Sequence, residues 1–259
     1  MLRPILTTAA LAAGLMLVPA GAASALTNTV DFKANVVPYK LSTKKKKVGL
    51  RLDVDFTIKN AAPEGGKPAA LNNVVIQFPA GAVANPKSFP TCDPAKLEKS
   101  GPSACTKALI GTGTAVADAS PLLPVVDAEM KVYNGTPVGG VPRITFWASA
   151  ELVSVVLVFS GKLTKESGKY SYKLDVDVPH IPTLPGNPDA AVAEVHVKVQ
   201  KKTTKTVTVR KKGKKRKVKQ TINFIDSPSK CTTGGFPFHW KMGYWDGDPT
   251  EGDFSLPCP

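Results

Sequence analysis

Period-two alternation limits what this chain can become more than any other feature. Leu50, Leu52, Val54, Phe56 and Ile58 alternate with Arg51, Asp53, Asp55 and Thr57, so an extended segment has one apolar face and one wet face. Val195, Val197 and Val199 alternate in the same way with His196, Lys198 and Gln200. Residues 144–147 and 152–159 are more continuously apolar and read as buried strands. Nowhere do apolar residues recur at the spacing of a long amphipathic helix. Gly and Pro together supply 44 of 259 residues, well above the usual share of about 12%, so the chain is cut often. Asn134-Gly135, Gly139-Gly140 and Gly234-Gly235 read as turns between strands. The predicted class is all-β: antiparallel strands packed as a β-sandwich, Ig-like or jelly-roll-like, as one sandwich or two.

Four cysteines, Cys92, Cys105, Cys231 and Cys258, allow three pairings. Cys92–Cys105 with Cys231–Cys258 closes the smallest loops, and this is the pairing expected; each bridge is worth roughly 3–4 kcal/mol in the chain-entropy model. A metal centre is disfavoured, because no C-x-x-C spacing and no neighbouring His accompany them. One short helix fits inside the first bridge, with Asp93 as N-cap, Pro94 in the first turn and Gly101 just past the end.

Bridges of this kind belong to an oxidising compartment, and the N-terminus agrees. Arg3 precedes an apolar run over residues 5–18, followed by Ala23-Ser24-Ala25, the layout of a signal peptide over residues 1–25 with an A-x-A cleavage site. The run is short for a membrane span of about twenty residues. The expected product is residues 26–259, secreted or extracellular, with no transmembrane segment and at most a non-covalent association with the cell wall.

Charge is concentrated rather than spread. The net charge is +14, and residues 198–219 hold twelve Lys or Arg and no acid; outside that segment and Arg3, 21 basic residues face 20 acidic ones. Val207 and Val209 before Gly213, with Val218 and Ile222 after it, predict a hairpin arm over residues 198–219 that projects because its like charges repel. Arg210, Lys211, Lys212, Lys214, Lys215, Arg216 and Lys217 are the candidate binding residues, suited to a polyanion by counterion release. Partners of that chemistry outside a cell are anionic envelope polymers, an anionic lipid surface or extracellular nucleic acid. The plainer role of such lysines is to stop an exposed ribbon pairing edge to edge. The run Lys44, Lys45, Lys46 and Lys47 reads as a solvated turn. No aromatic residue interrupts either run, so base stacking has no platform there.

Catalytic constellations are sparse. Asp53 with Asp55, and Asp175 with Asp177, each set two carboxylates on one strand face about 7 Å apart, the residue type used by glycoside hydrolases and by Ca²⁺ sites. Alternate positions of a half-exposed strand are polar by default. His180, His196 and His239 lie far apart in sequence, with no H-E-x-x-H, G-x-S-x-G or P-loop pattern beside them,. No cofactor is implied. Phe236, Phe238, Trp240, Met242 and Tyr244 alternate strictly and read as core, with Trp245 off the pattern and exposed. The expected function is a non-catalytic cell-envelope or extracellular module that binds anionic polymers through the arm. The alternative is an extracellular hydrolase of polysaccharide or phosphoester using the strand carboxylates.

Two stretches echo each other. Residues 51–56 then Pro63, Gly65 and Pro68 compare with residues 173–178 then Pro185, Gly186 and Pro188, each followed by an alternating strand; the halves would be 26–120 and 121–259. Several local motifs, among them Phe89-Pro90-Thr91-Cys92, Gly101 to Cys105, Ile110 to Ala115 and the closing stretch from Cys231 through Tyr244 to Cys258, resemble a set of uncharacterised exported β-proteins of high-GC soil actinobacteria. The resemblance implies secretion and a β fold. It implies no activity and no catalytic residues, and in such proteins the cationic hairpin varies.

Overall fold

The computed structural model describes residues 27–259 except 45, 63–65 and 212–213, and no side chain at 124, 207, 209–211 or 214. The expected signal peptide, with Lys45 and Lys212, therefore lies outside the described residues. The strands in chain order are β1 (Asn28–Val37), β2 (Arg51–Asn60), β3 (Leu71–Pro79), β4 (Val83–Ala84), β5 (Leu109–Ala119), β6 (Leu123–Val138), β7 (Val141–Ala150) and β8 (Val155–Lys165). They continue with β9 (Tyr170–Asp177), β10 (Ala191–Val199), β11 (Lys202–Lys211), β12 (Lys214–Asn223), β13 (Ile225–Asp226), β14 (Phe236–Tyr244) and β15 (Thr250–Leu256).

Eleven of these form one continuous sheet in the order β1-β2-β10-β5-β6-β7-β8-β9-β3-β14-β15, antiparallel at every pairing. All-β antiparallel structure is as expected, but the sandwich expectation needs correcting: the strands do not divide into two sheets. A sheet this wide twists and curls, and an apolar face is buried as well by curling on itself as by recruiting a second layer. Its edges β1 and β15 approach each other, and Phe32 of β1 stacks on Trp240 of β14 with ring centroids 5.9 Å apart. The wall is nearly a barrel. Residues of both halves, 26–120 and 121–259, are interleaved in it.

Two local expectations are also corrected. Asn134-Gly135 is not a turn but the middle of β6. The Asn134 side chain is buried and its Nδ2 donates to the carbonyls of Pro86, Phe89 and Pro90 at 3.0, 3.2 and 3.0 Å. Gly135 is glycine for space, since a Cβ there would sit 2.5 Å from Thr145 Oγ1. Residues 152–159 do not make one buried strand either. Glu151–Val153 is a short 3-10 turn, Ser154 takes a positive φ of 53°, and β8 starts only at Val155 with Val156 exposed. By contrast Gly139 and Gly140 do turn between β6 and β7, with φ of 58° and 79°.

Both bridges form as paired from loop size, Cys92–Cys105 and Cys231–Cys258, with Cα atoms 5.6 and 5.8 Å apart. The first encloses the expected helix α1 (Pro94–Ser100). Asp93 Oδ1 accepts from Ala95 N–H at 2.9 Å, and Gly101 closes the helix at φ 68° by donating to the Leu97 carbonyl. Leu97 is fully buried against Cys92, Cys105, Tyr133 and Trp147, which fixes α1 on the outer wall over β6, β7 and β8. The second bridge ties the turn before β14 to the chain after β15.

The topology gives the barrel two unlike ends. Loops 38–50, 80–108, 166–169 and 200–235 gather at one end, and loops 61–70, 120–122, 151–154, 178–190 and 245–249 at the other. Lys40, Lys44, Lys46, Lys47 and Lys201 belong to the first end, together with the hairpin; Asp118, Glu151, Asp177, Asp189, Asp246 and Asp248 belong to the second. Asp93, Glu98, Glu166 and Asp226 also lie at the first end and Lys67 at the second, so the separation of charge along the barrel axis is a net one.

Candidate functional site

Inward positions on the strands decide how full a barrel is. On one side Phe32, Phe56, Phe236, Phe238, Trp240 and Met242 meet in a dense cluster. On the other, β5, β6 and β7 present Ala115, Ala117, Ala128, Ala148 and Ala150 to the interior. Eight strands already leave room for one small ligand; eleven strands with alanine at five inward positions leave more. The result is an interior cavity of about 630 Å³, within the range of roughly 300–1,000 Å³ that holds a single small ligand.

The lining is almost wholly aliphatic and aromatic. Among the described residues its one charged side chain is Lys40, and its hydroxyls come from Tyr39, Tyr172, Thr183 and Ser227. Three of these four are already used. Tyr172 donates to the Ala84 carbonyl at 3.3 Å, Thr183 to the Pro188 carbonyl at 2.9 Å and Ser227 to the Lys40 carbonyl at 2.6 Å. The buried Tyr39 hydroxyl has no partner among the described residues. Loss of water raises its pKa above the ordinary 10.0, which keeps it a neutral O–H donor.

At the basic end the cavity is floored by Phe224, Ile225 and Pro228, where the chain returns from the hairpin. At the acidic end it reaches the surface between Leu122, Val153 and Leu184, which line it while remaining 41%, 38% and 62% exposed. The loop over residues 178–190 crosses that rim. Ala190 N–H donates to the Ile181 carbonyl at 2.8 Å, His180 pairs with Asp189, and the His180 ring stacks on Trp245 at 3.8 Å. Lys67 reaches the carbonyls of Ser120 and Asp189 from the neighbouring loops.

The sequence-predicted binding residues stand apart from this cavity. β11 and β12 pair in register from Lys202 opposite Asn223 to Lys211 opposite Lys214 and pair with no other strand. Ten residues per strand make a ribbon about 30 Å long. Lys215, Arg216 and Lys217 are exposed on it; Arg210, Lys211 and Lys214 have strand backbone, and Lys212 is outside the described residues. The ribbon is rooted by Phe224, which is buried and donates its N–H to the Lys201 carbonyl at 2.7 Å. Lys44, Lys46 and Lys47 are exposed about a turn closed between Thr43 and Lys46.

The paired carboxylates lie on the outer face. Arg51 binds Asp53 through Nε at 2.9 Å and Nη2 at 3.0 Å. Asp55 pairs with His196 on the adjacent strand, and Asp175 accepts from Asn73 Nδ2 at 3.0 Å. Each histidine faces one aspartate: His180 with Asp189, His196 with Asp55 and His239 with Asp253. Sequence reasoning missed these pairs because register and loop closure create them. No cluster of three or more His, Cys, Asp or Glu with metal-holding geometry occurs among the described residues. The C-terminal aromatic stripe is core, with Trp245 half exposed.

Comparison with protein-family models, with curated proteins and with solved structures finds no match.

Proposed function

We propose that the protein is a secreted, non-catalytic extracellular or envelope-associated module that holds an apolar small molecule inside its barrel and meets anionic polymers or surfaces through its cationic hairpin. One observation carries the reading: an interior cavity of about 630 Å³ whose lining contains a single charged side chain. Such a space excludes polar substrates, since desolvated polar groups need partners that the walls do not offer. It rewards hydrocarbon. A fully buried chain of about twelve carbons gains roughly 10 kcal/mol at about 0.8 kcal/mol per methylene, enough to exceed the lower estimates of association cost.

The two disulfides suit an oxidising compartment,, and among the described residues no helix is long and apolar enough to cross a membrane. The carboxylates invoked for a hydrolase sit outside the cavity, and Asp53 is engaged by Arg51, so no observation favours catalysis. The hairpin supports the second half of the proposal because it spends no backbone on the barrel.

The test is saturable uptake of a long-chain hydrocarbon probe by the oxidised protein, followed by native mass spectrometry. One ligand per chain is expected, and uptake should be lost when Ala117→Phe and Ala148→Phe together fill the cavity. Uptake unchanged in that variant, or absent in the parent, would refute it.

A further inference from the structure

The two ends of the cavity are closed by different kinds of contact. At the basic end the covering segments are stitched together by main chain. Leu50 N–H donates to the Ile225 carbonyl at 2.9 Å, and Ser42 N–H to Pro228 and Ser227 N–H to Val48 at 2.8 Å each. Val83 lines the cavity there while 37% exposed, and it is held by the pairing of β4 with β13.

At the acidic end residues 179–189 make no main-chain hydrogen bond to another part of the chain among the described residues. Pro179, Pro182, Pro185 and Pro188 recur through the segment; they lack the N–H groups that could pair with a barrel strand, and their φ angles are fixed. The segment closes on itself instead. Ala190 N–H donates to the Ile181 carbonyl, Asn187 N–H to Leu184 at 3.0 Å and Thr183 Oγ1 to Pro188 at 2.9 Å, while Gly186 turns the tip at φ 85°. The result is a stiff tongue hung from two buried residues, Val178 and Ala190.

Three side-chain contacts hold the tongue over the mouth. Ile181 packs against a buried cluster of Ala119, Val126, Ala150 and Ala190, residues mostly so small that little apolar contact is lost when it lifts. His180 stacks on Trp245 of the β14–β15 turn. Lys67 Nζ donates to the Ser120 carbonyl on the rim at 3.5 Å and to the Asp189 carbonyl in the tongue, and so clasps one to the other. His180, Trp245 and Lys67 stand outside the cavity lining, whereas Ile181, Pro182 and Leu184 belong to it.

We infer that residues 179–189 are a lid, which swings about Val178 and Ala190 once the Lys67 clasp and the His180–Trp245 stack release, and admits the ligand at the acidic end. This rests on the apolar-ligand reading above and adds the route and the gate. Lifting the tongue breaks no main-chain hydrogen bond to the barrel among the described residues, whereas entry at the basic end breaks several. The clasp lies outside the cavity and is compatible with an empty or a filled interior. It therefore sets the barrier to exchange rather than the affinity.

Stopped-flow uptake of diphenylhexatriene, a rod-shaped hydrocarbon that fluoresces in apolar surroundings, tests the lid. In the double variant His180→Cys with Trp245→Cys, native bridges intact, a short bis-maleimide ties the tongue to the β14–β15 turn, and a monofunctional maleimide leaves it loose. The tied form should take up the probe at least about tenfold more slowly than the capped form. The capped form should exceed the wild type about fivefold in both uptake and release, with affinity within about twofold, as expected for loss of partly exposed contacts. Lys67→Met should raise both rates in the same way. A Lys67→Met protein with weakened binding and unchanged rates overturns the clasp. Equal uptake by the tied and capped forms overturns the lid and leaves the apolar-ligand reading standing. Failure of the wild type to take up the probe overturns that reading, and the lid with it.

Discussion

Ala148→Leu asks whether the interior space is real, because the sign of its effect differs between an open cavity and a packed core. Ala148 lies on β7 and lines the cavity, opposite Met130 of β6 and Leu157 of β8. Leucine adds three carbons there. At about 0.8 kcal/mol for each buried methyl or methylene the gross gain is about 2.4 kcal/mol, and fixing the leucine rotamer returns about 0.5–1 kcal/mol. A net stabilisation of about 1.5–2 kcal/mol follows for the ligand-free protein. In a filled core the same change would force neighbours off their rotamers and destabilise by about 1–3 kcal/mol. Urea denaturation of the oxidised, delipidated protein reads the difference as a shift of midpoint at constant slope. A midpoint that falls by the equivalent of 1 kcal/mol or more would refute the cavity and, with it, the binding proposal.

Asn134→Ala should destabilise by about 2–4 kcal/mol, because it strands three carbonyls that now share one amide,; a loss under 1 kcal/mol in urea would show that this amide does not hold the 86–90 segment to β6. Replacing residues 210–217 with a short neutral turn should abolish salt-sensitive retention on heparin while leaving the thermal transition in place, since the ribbon pairs with nothing but itself; retention that survives would remove the polyanion role. Burial holds the Tyr133 and Tyr244 phenols above their ordinary pKa, with Glu129 adding to the first and a hydrogen bond with Thr250 opposing the second. Their raised folded values mean that stability is fully present below about pH 10 and falls above it as the unfolded chain ionises. Phenolate absorbance of the folded protein should show Tyr39, Tyr133 and Tyr244 ionising above the ordinary value; ionisation of all three at the ordinary value would contradict this.

What was legible in the sequence was local. The alternation in β2 and β10, the cap residues Asp93 and Gly101 and the two small disulfide loops depend on neighbours within a few tens of residues, and each formed as read. The ribbon was legible because its charge is contiguous. Errors arose where one residue type serves two ends. Asn134-Gly135 has turn chemistry, yet here the asparagine is an internal clamp for three carbonyls and the glycine gives Thr145 room. Residues 152–159 have strand composition, yet the positive φ of Ser154 breaks them.

The cavity was less legible, for a reason that alternation cannot express. Period two tells which side chains face inward but not how far away the opposite wall stands. Alanine at 115, 117, 128, 148 and 150 looks like a modest strand former whether the space before it is filled by Trp240 or by nothing. Width comes from the number of strands and from the long-range order that joins β2 to β10 and β3 to β14, pairings separated by more than a hundred residues. Given that width, small inward residues on three consecutive strands become a statement about an occupant.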